Sequence, residues 1–134
     1  MVVVDASVLV DALLIDGPAR ARLADANLQA PDLIDAELHS VLRRLVIAGR
    51  LPEQHALRAL ITSQQLGLRR HVSRHLWPRA WELRTNLTAY DALYVALAEK
   101  LGATLLTADA RAARAPGLLC PVEVMTLLMR PEAH

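Results

Sequence analysis

Three valines run straight into an acid at the start of this chain, Val2-Val3-Val4-Asp5. A β-branched run with no polar alternation reads as a strand covered on both faces, as in a parallel sheet. Strand and helix patterns then alternate. The periodicity predicts helices over residues 7–14 and 19–26, a brief strand over 28–30, and a long helix from an Asp32 N-cap to Ala48, stopped by Gly49. Further helices are expected over 53–65, 76–87 (with Pro78 in the first turn), 90–101 and 109–115, and further strands over 70–73, 103–107 and 122–125. The expected fold is α/β: a three-layer α/β/α sandwich around a mostly parallel sheet. With 134 residues, the length fits one domain over 1–134.

In such sheets ligands bind beyond the carboxyl ends of the strands, where the strand order reverses. Two acids fall just after predicted strands, Asp5 and Asp109, and two more lie on helices, Glu37 and Asp91. Asp5 can cap the helix that follows, but Ser7 is itself a competent cap and would leave Asp5 free to face the crevice. Asp91 falls inside the apolar arc of its helix with Tyr94, Val95, Ala98 and Leu101, while Glu99 and Lys100 take the opposite face. An unpaired acid there costs several kcal/mol or stays protonated. A capping box with Thr88 is the structural alternative, and both roles can coexist at the edge of a cleft. Glu37 borders the stripe Ile34, Leu38, Val41, Leu45, where a solvated acid and a ligand are equally good readings. Asp109 can cap the short helix after it, although its place at a strand end favours a ligand. Asp32 and Asp35 are explained by the helix start, and Asp11, Asp16 and Asp25 as surface or turn residues. Gathered together, Asp5, Glu37, Asp91 and Asp109 would repel one another, and a hard divalent cation held through oxygen relieves that.

Composition narrows the function classes. One cysteine, Cys120, excludes an internal disulfide and a thiolate zinc cluster, and the histidines at 39, 55, 71, 75 and 134 lack a metal-binding spacing. No apolar run reaches the roughly 18 residues that span a bilayer, and the acid-interrupted, non-basic start does not read as a secretory signal. A cytoplasmic protein is expected. Nine arginines against two glutamates leave residues 43–84 at +7, while the remainder stands at −6. An acidic pocket beside a basic surface suits a polyanion, and Arg43, Arg44, Arg69 and Arg70 are candidate RNA contacts. A solvated arginine-rich face is the alternative, and RNA contact stands modestly ahead of it. Apolar residues make up 54% of the chain, so helices around Leu57, Leu60, Ile61 and around Val41, Leu42, Leu45 are candidates for a shared surface between copies.

The stretches Val3-Val4-Asp5-Ala6-Ser7, Asp35-Ala36-Glu37-Leu38, Leu87 to Ala98 (with Tyr90-Asp91-Ala92-Leu93-Tyr94 the most specific) and Leu105-Leu106-Thr107-Ala108-Asp109 together resemble the PIN-domain ribonucleases, specifically the VapC toxins of bacterial toxin–antitoxin pairs. The resemblance runs over nearly the whole chain in order and spacing. It implies a five-stranded parallel sheet, and a catalytic and metal-binding set at Asp5, Glu37, Asp91 and Asp109. Ser7 and Thr107 fall at auxiliary polar positions. It further implies Mg²⁺ or Mn²⁺, cleavage of structured RNA (transfer or ribosomal) by a metal-activated water, a homodimer, and restraint by a cognate VapB-type antitoxin. Residues 50–75 carry none of the family's motifs.

Two other classes compete. An aspartate-nucleophile phosphatase also ends its first strand in aspartate, but needs a second aspartate two residues on, where this chain has Ser7. It also needs a lysine, and Lys100 is the only one here. A non-catalytic RNA- or protein-binding α/β module explains the arginines but not an acid in the apolar arc at position 91.

Overall fold

The computed structural model describes residues 1–129; the domain expected over 1–134 and His134 extend outside them. Five strands form one sheet: β1 (Val2–Val4), β2 (Leu28–Pro31), β3 (Arg69–His71), β4 (Thr104–Thr107) and β5 (Val122–Val124). Their order is β3-β2-β1-β4-β5 and every pairing is parallel, with Val3 opposite Gln29 on one side and Leu105 on the other. The valine run therefore lies at the centre of the sheet, and Val3 and Val4 are fully buried, as a strand covered on both faces requires.

Helices α1 (Ala6–Leu14), α2 (Pro18–Leu23), α3 (Ile34–Ile47) and α4 (Glu53–Gln65) pack on one another. They connect β1 to β2 and β2 to β3, two crossovers in the same direction, which right-handed connections place on one face. The return to β4 passes through a 3₁₀ turn (Ser73–Leu76), α5 (Trp77–Glu82) and α6 (Ala89–Leu101), and the short α7 (Ala110–Ala113) precedes β5. These take the other face, giving the expected three layers. A core cluster joins the sheet to α6, whose residues 92–98 are all buried, and a second lies between α1, α3 and α4.

Several local expectations are corrected. The helix expected over 76–87 ends at Glu82, because Leu83, Arg84 and Asn86 donate their N–H groups three residues back and turn the chain toward α6. Asp32 does not cap α3: its N–H still donates to His71 O at 2.7 Å, extending the sheet, and its carboxylate accepts from Ser73 Oγ, so the helix starts at Ile34 after Leu33. Asp11 is no surface residue. It is 1% exposed, and one carboxylate oxygen accepts from the backbone N–H of Leu128 and Met129, fastening the end of the described chain to α1. Val41, Leu42 and Leu45 are buried in the second core and cannot form a surface between copies, whereas Ile47, Leu57 and Ile61 are exposed. Glu99 is not on a solvated face: Arg79 grips both its oxygens, tying α5 to α6.

Candidate active site

The sheet order fixes where a site can be. Connections leave β1 toward β2 but return from β3 to β4, so a crevice opens beyond the carboxyl ends of the adjacent strands β1 and β4. Asp5 is the first residue after β1. It is itself the N-cap of α1, with Oδ1 accepting from Val8 N–H at 3.0 Å, and Ser7, expected to cap, sits inside the helix. Asp5 nevertheless faces the crevice, because its other oxygen accepts from Thr107 Oγ1 at 2.6 Å across the strand ends. The Thr107 hydroxyl oxygen in turn accepts from Asp109 N–H at 3.0 Å. One buried threonine thus couples the acid after β1 to the backbone of the acid after β4. Asp109 caps α7 through Oδ1, which accepts from the N–H groups of Arg111 and Ala112.

Two helices bring the other acids. Thr88 caps α6 by accepting from Asp91 N–H, so the cap half of the expected capping box forms. Glu37 sits on the first turn of α3 and accepts from Tyr94 Oη at 2.7 Å, which bridges α3 and α6. The sequence shows Tyr94 as part of the apolar arc and of the Tyr90 to Tyr94 motif, without a role of its own. The available signal was its position three residues after Asp91 on a buried face, where a tyrosine hydroxyl needs a partner.

The acids are held chiefly by burial above their ordinary range, and neighbouring carboxylates add to it. Burial raises the Asp5 carboxyl above its ordinary range. Hydrogen bonds from Thr107 and from the backbone of Val8 and Ala108 oppose the rise, and the Asp91 charge adds to it. Glu37 is raised by burial, with Tyr94 opposing and Asp5 and Asp91 adding. Asp91 is likewise raised by burial and by Asp109, against the Thr88 hydrogen bond. The Tyr94 hydroxyl is pushed far up, first by burial and then by Glu37, and stays a donor. Among the described residues no arginine, lysine or histidine stands within 4.0 Å of Asp5, Glu37 or Asp91; Arg111 approaches Asp109 only at 3.9 Å.

Asp5, Ser7, Glu37 and Asp91 line one cleft of about 410 Å³. Asp109 lines a neighbouring one of about 310 Å³ that shares only Asp91 with the first. The four acids thus form a chain with Asp91 at the join. Among the described residues no three histidines, cysteines or carboxylates stand close enough together to hold a metal ion between them. Magnesium typically retains several waters and one or two carboxylates, so a string of oxygen donors without a neutralising side chain fits that ion class. The arginines divide. Arg44 lines the acidic cleft and Arg43 and Arg69 are exposed, whereas Arg70 is clamped by both oxygens of Asp35 and by the carbonyls of Ser63 and Leu68. Those bonds give Arg70 a structural role, tying β3 to α3 and α4.

Known proteins resemble this chain over most of its length. The PIN domain family model matches residues 2–118. Ribonuclease VapC9 of Mycobacterium tuberculosis is 46% identical over 125 residues, covering 93% of this chain and 98% of the relative. Ribonuclease VapC1 of the same organism is 43% identical over 128 residues, covering 92% and 96%. The crystal structure of M. tuberculosis VapC20, described as a sarcin–ricin loop cleaving toxin, superposes with a TM-score of 0.59 at 22% identity over 78% of this chain and 87% of that one, a likeness of fold. With the switch-point acids in place and relatives that match nearly end to end, the chain belongs to the PIN-domain family, among its VapC ribonucleases.

Proposed function

We propose that this chain is a single-domain, Mg²⁺- or Mn²⁺-dependent endoribonuclease. It would act in the cytoplasm as the toxin of a toxin–antitoxin pair, cleaving transfer or ribosomal RNA. The observation that carries the reading is the shared cleft of Asp5, Glu37 and Asp91, three acids raised chiefly by burial and further by neighbouring carboxylates, with no cation within 4.0 Å of them among the described residues. Asp5 and Asp91 would hold the metal, with Asp109 and Glu37 completing its surroundings. When bound, such an ion activates a water toward phosphorus and stabilises charge on the leaving oxygen.

The chain's own residues do the rest. Thr107 holds one Asp5 oxygen in place and leaves that carboxylate lone pairs to spare. Tyr94 fixes the Glu37 rotamer from the opposite helix. A carboxylate oxygen of Asp91 not used in ligation would orient or deprotonate the attacking water. Arg44, on the rim, offers a phosphate contact. A VapB-type antitoxin would restrain the enzyme, and two copies would associate.

Purified protein stripped with EDTA should leave RNA intact and cleave it when Mg²⁺ or Mn²⁺ is restored, with the cut ends mapping to a few sites in cellular transfer or ribosomal RNA. Cleavage that persists in EDTA, or none with any divalent metal, would refute the reading.

A further inference from the structure

The chain has four aromatic side chains and no phenylalanine. Tyr94 is buried and holds Glu37, while Trp77, Trp81 and Tyr90 are exposed. Of these three only Tyr90 lines the acidic cleft, at 61% exposure and one residue before Asp91. An isolated surface tyrosine needs no explanation. This one lines a cleft shared with the small side chains Ala6, Ser7 and Ala36, beside an acid of the proposed catalytic set. The cleft volume of about 410 Å³ is in the range that admits one small ligand.

The two helices divide the cleft in a usable way. On α6, Tyr90 and Tyr94 are four residues apart and share a face; the inner ring is spent on Glu37 and the outer ring is free. On α3, Glu37 and Arg44 are two turns apart, roughly 10 Å along the axis, and both line the cleft. Arg44 has one side-chain hydrogen bond, from Nη1 to Ser40 Oγ, and no carboxylate within 4.0 Å among the described residues. An aromatic face, an arginine and the acids in one cleft match the three parts of an unstacked nucleotide: base, flanking phosphate and scissile phosphate. Single-stranded RNA is commonly held this way, by aromatic stacking beside a positive contact to the backbone.

We propose that Tyr90 is a base-stacking specificity residue, its ring taking the unpaired nucleobase beside the scissile phosphate while Arg44 takes a flanking phosphate. This rests on the ribonuclease reading and adds to it the requirement for a base at one defined position. Stacking tolerates every base, so the requirement is for a base rather than for a particular letter.

The test pairs protein variants with RNA lacking single bases. On the shortest RNA oligonucleotide that wild type cleaves in Mg²⁺, Tyr90→Ala should lower kcat/KM by roughly five- to a hundredfold, and Tyr90→Phe should stay within about threefold. An abasic nucleotide beside the cleavage site should cost wild type about as much as Tyr90→Ala does, and should cost Tyr90→Ala little more, because both remove the same contact. Equal abasic losses in wild type and Tyr90→Ala would overturn the proposal, as would a Tyr90→Phe enzyme as weak as Tyr90→Ala. Wild type that cleaves no RNA would overturn the ribonuclease reading and this proposal together. Wild type that cleaves while Tyr90→Ala cleaves equally well would overturn the stacking role alone.

Discussion

Asp91 carries the sharpest conflict between stability and function. Its carboxyl is raised by burial and by Asp109, and Asp5 and Glu37 are raised beside it. A carboxyl whose folded pKa lies above its unfolded value gives stability that is complete below the unfolded range, near 4, and lost as pH rises through the folded value. Metal-free protein therefore loses stability as the pH rises from about 4 toward neutrality. Asp91→Asn should cut RNA cleavage by roughly a hundredfold or more, at least the loss seen when a metal site's supports are removed. It should also melt at the same temperature as wild type or higher in EDTA at pH 7, with any advantage shrinking as the buffer is taken toward pH 4. Melting curves across that range check the sign. An active Asp91→Asn enzyme would remove Asp91 from the catalytic set.

Elements were legible in the sequence where one periodicity decided them, and less so where a distant partner did. The valine run, the Thr88 cap and the Gly49 stop each follow from local chemistry, and Gly49 does take a left-handed φ of 72°. Asp5 and Asp91 could be picked out because an acid after an all-valine strand, or inside an apolar arc, is conspicuous wherever the chain goes. Asp11 could not, because its partners lie 117 and 118 positions away. Arg70 and Glu99 were misread for the same reason: a charged residue looks solvated until Asp35 or Arg79 is brought to it by the fold. Tyr90 was visible only as part of a motif, since its exposure at the cleft is a tertiary fact. The Asp11 contact gives a prediction at this level. Asp11→Ala leaves two backbone N–H groups without their charged acceptor and should cost about 2–3 kcal/mol in urea unfolding. RNA cleavage should survive at a temperature where the variant is folded, because Asp11 is remote from the acidic cleft. Unchanged stability would mean that the segment ending at Met129 is not fastened through this carboxylate.

At the level of the whole molecule, the parallel sheet with a reversal between β1 and β4 turns a scattered set of acids into one acidic edge. The same packing leaves Ile47, Leu57 and Ile61 exposed on α3 and α4, beside a shallow groove that includes Val46 and Leu60. Clustered apolar side chains of this kind are a usual basis for two-fold association. Light scattering at micromolar concentration should therefore give a mass near twice the 14.7 kDa of one chain, reduced by Leu57→Asp. A concentration-independent mass of 14.7 kDa would rule out the dimer and leave the nuclease untouched. No helix among the described residues is long and apolar enough to cross a membrane.

If the acids at the ends of β1 and β4 and on α3 and α6 form a divalent-cation site, the free protein binds such an ion. Calorimetric titration of EDTA-stripped protein with Mn²⁺ tests it without RNA or antitoxin. Saturable binding should be seen at neutral pH, and should weaken as the pH falls and protons compete for carboxyls that burial has already raised. It should be lost in Asp5→Asn/Asp91→Asn. Absent Mn²⁺ binding in wild type, or binding of equal strength in the double variant, would contradict the account.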